Sequence, residues 1–268
     1  MVEMDLGLQD RVVLVTGAGA GIGQAIALAF ADEGATVVVN DVVPERCSET
    51  LDLLREKDCR TLQAAFDITN RDAVEAGVSE VQARLGRLDV LVNNAAVMVN
   101  NLAFVDKRPE DCELEIAVSL FGTMHCTRAV LKGMAEHQHG RIINIVSDAA
   151  RVGQEKEVAY SSAKGGVISF TKSLAREVGR NGITVNAVSP AAQAELAFAT
   201  GPDMQYRYFY SGFEADDIVR MIELNFSGRL KLYDGPFTFA PGIEMRTACR
   251  APAGRGGGDE SYRERLGT

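Results

Sequence analysis

The stretch "SDAARVGQEKEVAYSSAK", residues 147–164, places a hydroxyl at Ser147, a phenol thirteen positions later at Tyr160 and an amine four beyond that at Lys164. The chain has only three histidines, so these groups stand out as its candidates for proton chemistry. Two readings are open from the spacing alone: a reactive set, or a polar loop running into an amphipathic helix.

A second stretch bears chemistry of another kind. "TGAGAGIG", residues 16–23, follows an apolar run and opens a helical pattern. A helix N-terminus carries unpaired N–H groups and the positive end of the helix dipole, so it attracts a pyrophosphate. Gly17, Gly21 and Gly23 let the backbone turn and approach phosphates where a Cβ would clash. Asp41 ends "VVVND" at the distance expected for ribose recognition. A carboxylate there accepts both adenosine ribose hydroxyls and repels a 2′-phosphate. The glycine loop holds no Arg or Lys and Val42 follows the acid, so NAD is favoured over NADP. Asp67, read as ending a third strand in "AAFDIT", suits either an adenine edge or a helix cap.

The elements that must position these groups alternate. "RVVLV" (11–15), "TVVVN" (36–40), "LDVLVN" (88–93), "RIINIV" (141–146) and "ITVNAV" (183–188) read as buried strands. They are nearly continuous in apolar residues, as parallel strands covered on both faces must be. Residues 21–33 put Ile22, Ile26, Ala29 and Phe30 on one helical face, Pro44 opens another helix, and 108–138 and 157–179 are the longest helical stretches. Strand then helix, repeated, predicts an α/β fold: a Rossmann-type doubly wound parallel sheet in a single domain.

Bulk properties bound the rest. The 268 residues are 46% hydrophobic with a mean hydropathy of −0.02, as in a globular domain. A net charge of −9 and a pI near 5.0 argue against a nucleic-acid partner. Five scattered cysteines without a C-x-x-C pattern read as reduced thiols, neither a disulfide framework nor a zinc site. His125, His137 and His139 converge with no Cys or Asp pattern, so no metal is expected. No signal-like start and no long apolar run is found, which predicts a cytoplasmic protein with no membrane partner.

The glycine spacing, "NNAA" at 93–96 and Tyr160-x-x-x-Lys164 together resemble the short-chain dehydrogenase/reductase family, strongly over about residues 8–190 and weakly to about 242. The resemblance implies reversible hydride transfer between NAD and a secondary alcohol. Tyr160 would be the acid–base, Lys164 one helical turn on would lower its pKa and hold the nicotinamide ribose, and Ser147 would hydrogen-bond the substrate oxygen. It also implies cofactor contacts from Gly17, Ala20, Gly21, Ile22, Gly23, Asp41, Asp67, Ile68, Asn94, Ala95, Tyr160, Lys164 and Pro190. Asn93 would brace a neighbouring strand.

Two positions depart from the family pattern. Ser119 stands where an asparagine usually fixes a proton-relaying water at a helix irregularity, and "SPAAQAEL" puts Ala191 where glycine is usual, with no threonine before Thr200. Ser119 joins Ser147, Tyr160 and Lys164 as a candidate catalytic residue. The stretches "SDAARVG" and "KGGVISFTKSLARE" are locally similar to alicyclic hydroxyacyl-CoA dehydrogenases and 3-oxoacyl reductases. A lid at 191–213, with Tyr206, Tyr208, Phe209 and Tyr210, would take a cyclic or hydrophobic small molecule. The alternatives are a non-redox dehydratase or cyclase on the same fold, or a silent dinucleotide-binding scaffold. The domain is expected to span 1–242, with a flexible extension over 243–268, and to form a homo-tetramer or homo-dimer through helices 108–138 and 157–179.

Overall fold

The computed structural model describes residues 6–189. Pro190, the expected lid at 191–213, the weaker resemblance to about 242 and the expected extension over 243–268 lie outside the described residues.

Six parallel strands form one sheet in the order β3-β2-β1-β4-β5-β6. They are β1 (Val12–Val15), β2 (Thr36–Val39), β3 (Thr61–Gln63), β4 (Val90–Asn93), β5 (Gly140–Ile145) and β6 (Ile183–Val188). All four residues of β1, β2 and β4 are buried, which is why those runs lack the alternation of a half-exposed strand. Side chains alternate instead between two cores. Val13, Val15, Val37 and Val92 face the layer that holds Ile26, Phe30 and Leu51. Leu14, Val38, Leu91 and Ile142 face the layer of Val74, Val78, Val130 and Met134.

The helices follow the strands. α1 (Gly21–Asp32), α2 (Pro44–Glu56) and α3 (Arg71–Leu85) connect the first four strands. α4 (Pro109–Ile116) and α5 (Thr123–Glu136) precede β5, and α6 (Ala149–Val152) and α7 (Val158–Val178) precede β6. The helical stretch read over 108–138 is interrupted here, at the irregularity the resemblance implied around Ser119. Residues Ala117–Gly122 form a π-helical turn between α4 and α5. The Thr123 hydroxyl donates to the Ser119 carbonyl at 3.2 Å inside that turn, and Gly122 lies against the Ile68 side chain, where any Cβ would be within 2.5 Å of Cδ1.

A second correction concerns Asp67. β3 ends at Gln63, because the Asn40 side-chain amide takes the Ala64 and Phe66 carbonyls and turns the chain off the ladder. Asp67 is exposed and accepts from the Thr69 N–H and hydroxyl, both at 2.8 Å. It caps no helix: Asn70 is the N-cap of α3, accepting from the Ala73 N–H.

The chain runs outward from β1 through β2 to β3, then crosses back to lay β4 on the other side of β1. That reversal opens a crevice at the C-terminal strand ends between β1 and β4, the place where such sheets bind ligands.

Candidate active site

The loop after β1 lies in that crevice. Gly17 has φ +62°, and a Cβ there would come within 2.9 Å of the Ala95 Cα. A Cβ on Gly23 would strike the Gly17 carbonyl oxygen and lie 2.5 Å from Asn94 Nδ2. The loop therefore packs backbone to backbone on the end of β4. Asn94 braces it, donating to the Thr16 and Gly17 carbonyls at 3.0 and 3.1 Å. Thr16 returns the brace, its hydroxyl accepting from the Asn94 and Ala95 N–H groups. Beyond the loop, Ala20, Gly21 and Ile22 are exposed, Ala20 makes no side-chain cap, and the first turn of α1 holds no acid. An open helix N-terminus behind a glycine cradle fits a dinucleotide pyrophosphate.

Asp41 is 8% exposed. One oxygen accepts from the Val43 N–H at 3.0 Å. The other faces the loop, 2.8 Å from where a Gly19 Cβ would sit. The Arg46 Cβ is 2.6 Å from the same point. The first turn of α2 thus brings Arg46, five residues after Asp41, back beside the loop at its Cβ. Ile68 is buried, and its carbonyl is 3.0 Å from His125 Nδ1.

The reactive set stands at the far side of the crevice. Ser147 lies just past the end of β5, where its hydroxyl accepts from the Ala149 N–H and acts on the Tyr160 phenol to lower its pKa. Tyr160 and Lys164 share one face of α7, with the Lys164 nitrogen 5.8 Å from the ring centroid. Lys164 is nearly fully buried and its ammonium donates to the Ile145 carbonyl at 2.6 Å. Burial pulls its pKa down from 10.5 to about 8. The Tyr160 pKa is raised above its ordinary value, by burial first and the Glu157 charge second, against the lowering effect of the Ser147 hydrogen bond. The lysine proton is directed at a strand carbonyl beneath the ring, while a carboxylate stands one turn before the phenol.

Ser119 sits inside the π turn with its hydroxyl buried and unpartnered. Asn93 braces the strands as expected, donating to Thr127 and to the Asn144 carbonyl oxygen; Asn144 in turn donates to Thr171 on α7. Sequence reasoning missed Asn144, Thr16 and Arg46. It also missed a buried pair: Lys107 donates to Glu115 at 2.6 Å, with both side chains almost wholly enclosed. Among the described residues no helix is long and apolar enough to cross a membrane, and no three His, Cys, Asp or Glu groups gather as for a metal.

The comparisons agree with this geometry. The family profile described as short chain dehydrogenase matches residues 11–197. The (2S)-[(R)-hydroxy(phenyl)methyl]succinyl-CoA dehydrogenase subunit BbsD of Thauera aromatica is 44% identical over 185 residues, 69% of this chain and 74% of that protein. Carveol dehydrogenase from Mycobacterium avium, solved in complex with NAD, is 29% identical with a TM-score of 0.66, over 68% of this chain and 70% of the other. A gluconate 5-dehydrogenase from Burkholderia cenocepacia J2315, solved with NADP and tartrate, is 29% identical with a TM-score of 0.69, over 74% and 78%. With a cradle for the dinucleotide on one side of the crevice and the serine, tyrosine and lysine on the other, this chain belongs to the short-chain dehydrogenase/reductase family, oxidoreductases that bind a nicotinamide dinucleotide.

Proposed function

We propose that the protein is an NAD-linked dehydrogenase of a cyclic or hydrophobic secondary alcohol, with Tyr160 as the acid–base. The observation that carries this reading is the placement of Tyr160: over the buried Lys164 on one face of α7, beside the end of β5 that bears Ser147, and across the crevice from the glycine cradle. NAD, when bound, supplies the hydride-accepting ring. Tyr160 takes the hydroxyl proton in oxidation and returns it to the carbonyl oxygen in reduction. Ser147 orients that same oxygen, and Lys164 holds Tyr160 and the ribose side of the site. Gly17 and Gly23 admit the pyrophosphate and Asp41 selects the ribose hydroxyls.

Two relatives support the substrate class. One acts on a phenyl carbinol carried on a CoA thioester and another on carveol, and Val152 and Val158, which flank the loop before Tyr160, are exposed apolar groups that suit a ring. The test is a screen of cyclic secondary alcohols, free and as CoA thioesters, with NAD, read by absorbance of the reduced nicotinamide. Turnover with NAD on a ring carbinol is expected. Cofactor binding with no reduction of NAD on any alcohol would move the non-redox reading, a dehydratase or cyclase, to first place; Ser119 in place of an amide is the feature that favours it.

We also read the protein as a homo-oligomer. Leu114, Phe121 and Met124 are exposed along α4, the π turn and α5, an apolar stripe that a second copy would cover.

A further inference from the structure

Two packed helices ordinarily meet through apolar side chains. Where α4 and its π turn pack on α7, Leu120 against Gly166 is such a contact, but buried charged and hydroxylic side chains stand there too. Lys107, Glu115 and Ser119 come from one side, and Glu157, Tyr160, Ser161 and Lys164 from the other. Glu115 is fully buried, and its Oε1 accepts from both Lys107 Nζ at 2.6 Å and the Val99 N–H at 2.9 Å. Its Oε2 has no partner among the described residues, nor have the Ser119 and Ser161 hydroxyls. Buried polar atoms left in that state call for internal water, which needs polar partners of this kind.

Glu157 is 8% exposed and precedes Tyr160 by three residues, on the same helix face. The groups facing it are Glu115 and Lys107 across the interface and Tyr160 on its own helix; those facing Tyr160 are Glu157, Lys164 and Ser147. Burial raises the Glu157 pKa and repulsion from Glu115 raises it further, with Lys107 opposing. Glu157 in turn disfavours a phenolate at Tyr160. Carboxylate and phenolate therefore resist being charged together.

Resting on the dehydrogenase reading, we propose that Glu157, backed by the buried Lys107–Glu115 pair, is the positioning residue that takes the Tyr160 proton through internal water. In alcohol oxidation the phenol, having received the alcohol proton, gives it to a water as that water gives one to the Glu157 carboxylate. One O–H bond breaks on the phenol and one forms on the carboxyl. Tyr160 and Glu157 carry one negative charge between them before and after, and the carboxyl releases its proton to solvent as Tyr160 takes the next alcohol proton, so the two are never charged together. This route serves where Ser119 replaces an amide.

The test does not need turnover. Tyrosinate absorbance is titrated in the unmodified protein, Glu157→Gln and Glu157→Asp, each with NAD, against Tyr160→Phe as the blank. Tyr160 in Glu157→Gln should ionise about one pH unit lower, while Glu157→Asp, which keeps the charge, should stay near the unmodified protein. An unchanged Tyr160 titration in Glu157→Gln, or equal shifts in both variants, overturns the proposal. A second arm holds should glutamine at 157 not fold. Lys107→Met with Glu115→Leu removes both buried charges together, and Glu157, followed by carbon NMR, should then ionise at lower pH; no movement overturns the coupling. Failure of the alcohol screen bears on the dehydrogenase reading alone and leaves these titrations standing.

Discussion

Lys164 is expensive to keep. Burial drags its pKa to about 8, so between pH 8 and its ordinary value the unfolded chain binds more protons than the folded one. Stability contributed by this group rises with pH through that window, and below it the folded state bears the full penalty of a buried ammonium. The depression corresponds to about 3 kcal/mol, offset by the hydrogen bond to Ile145, about 1–2 kcal/mol. Lys164→Met should therefore raise the thermal midpoint of the cofactor-free protein at pH 7, by about 1–2 kcal/mol of stability, and the gain should fade toward pH 10 in melts run across that range. An unchanged or lower midpoint at pH 7 would count against a charged buried lysine. Tyr160 sets the opposite kind of expectation. With its phenol pKa raised, alcohol oxidation should climb about tenfold per pH unit on the alkaline side of neutrality, while ketone reduction, which uses the protonated phenol, should hold level there. Tyr160→Phe should abolish both yet leave NAD affinity, measured by calorimetry, nearly unchanged. At the adenosine end, NAD should bind about tenfold more tightly than NADP because Asp41 meets the 2′-phosphate first. Asp41→Ala should reverse the order, since Arg46 then stands there unopposed; NADP binding that stays weak in that variant would show the arginine is out of reach.

The elements were legible to different degrees. The strands could be read because each is buried on both faces, and the glycine loop because φ +62° at Gly17 and the contact of Gly23 with the Gly17 carbonyl tolerate no side chain. β3 was overextended because the Asn40 amide, twenty-odd residues away in sequence, ends it. The π turn was expected only from the family resemblance: "AVSLFG" has ordinary helix formers, and the widening depends on the Ile68 side chain against Gly122 and on the Thr123 hydroxyl at the Ser119 carbonyl. Glu115 was invisible because its partner Lys107 comes from the loop before α4. At this scale Ser119→Asn is the informative change. The Ser119 hydroxyl is buried with no partner among the described residues, so an amide there would have polar work to do. The amide should raise turnover severalfold or shift the lower limb of the pH–rate curve, with a thermal midpoint within a few degrees of the unmodified protein. A large drop in midpoint with no kinetic gain would mean that the turn is packed around serine.

For the whole molecule, the exposed stripe of Leu114, Phe121 and Met124 gives the assembly prediction its handle. Light scattering at micromolar concentration should show a dimer or tetramer, and Phe121→Glu should halve the mass without lowering the helix content seen by circular dichroism. A monomer before mutation would rule the stripe out as a self-contact. The sheet order has a consequence of its own, in time rather than in space. β1 is complete once Val15 is made, but the strand that closes its other edge, β4, begins only at Val90, and Asn94 and Thr16 brace each other across that junction. A nascent chain emerging from the ribosome thus carries every glycine of the cradle long before it has the wall that the cradle leans on. Synthesis must pass Ala95 before the loop is held, and must pass Lys164 before the reactive side of the crevice exists. Dinucleotide in the cell can therefore reward only chains that have already joined their two halves, and a chain truncated before β4 gains no protection from it.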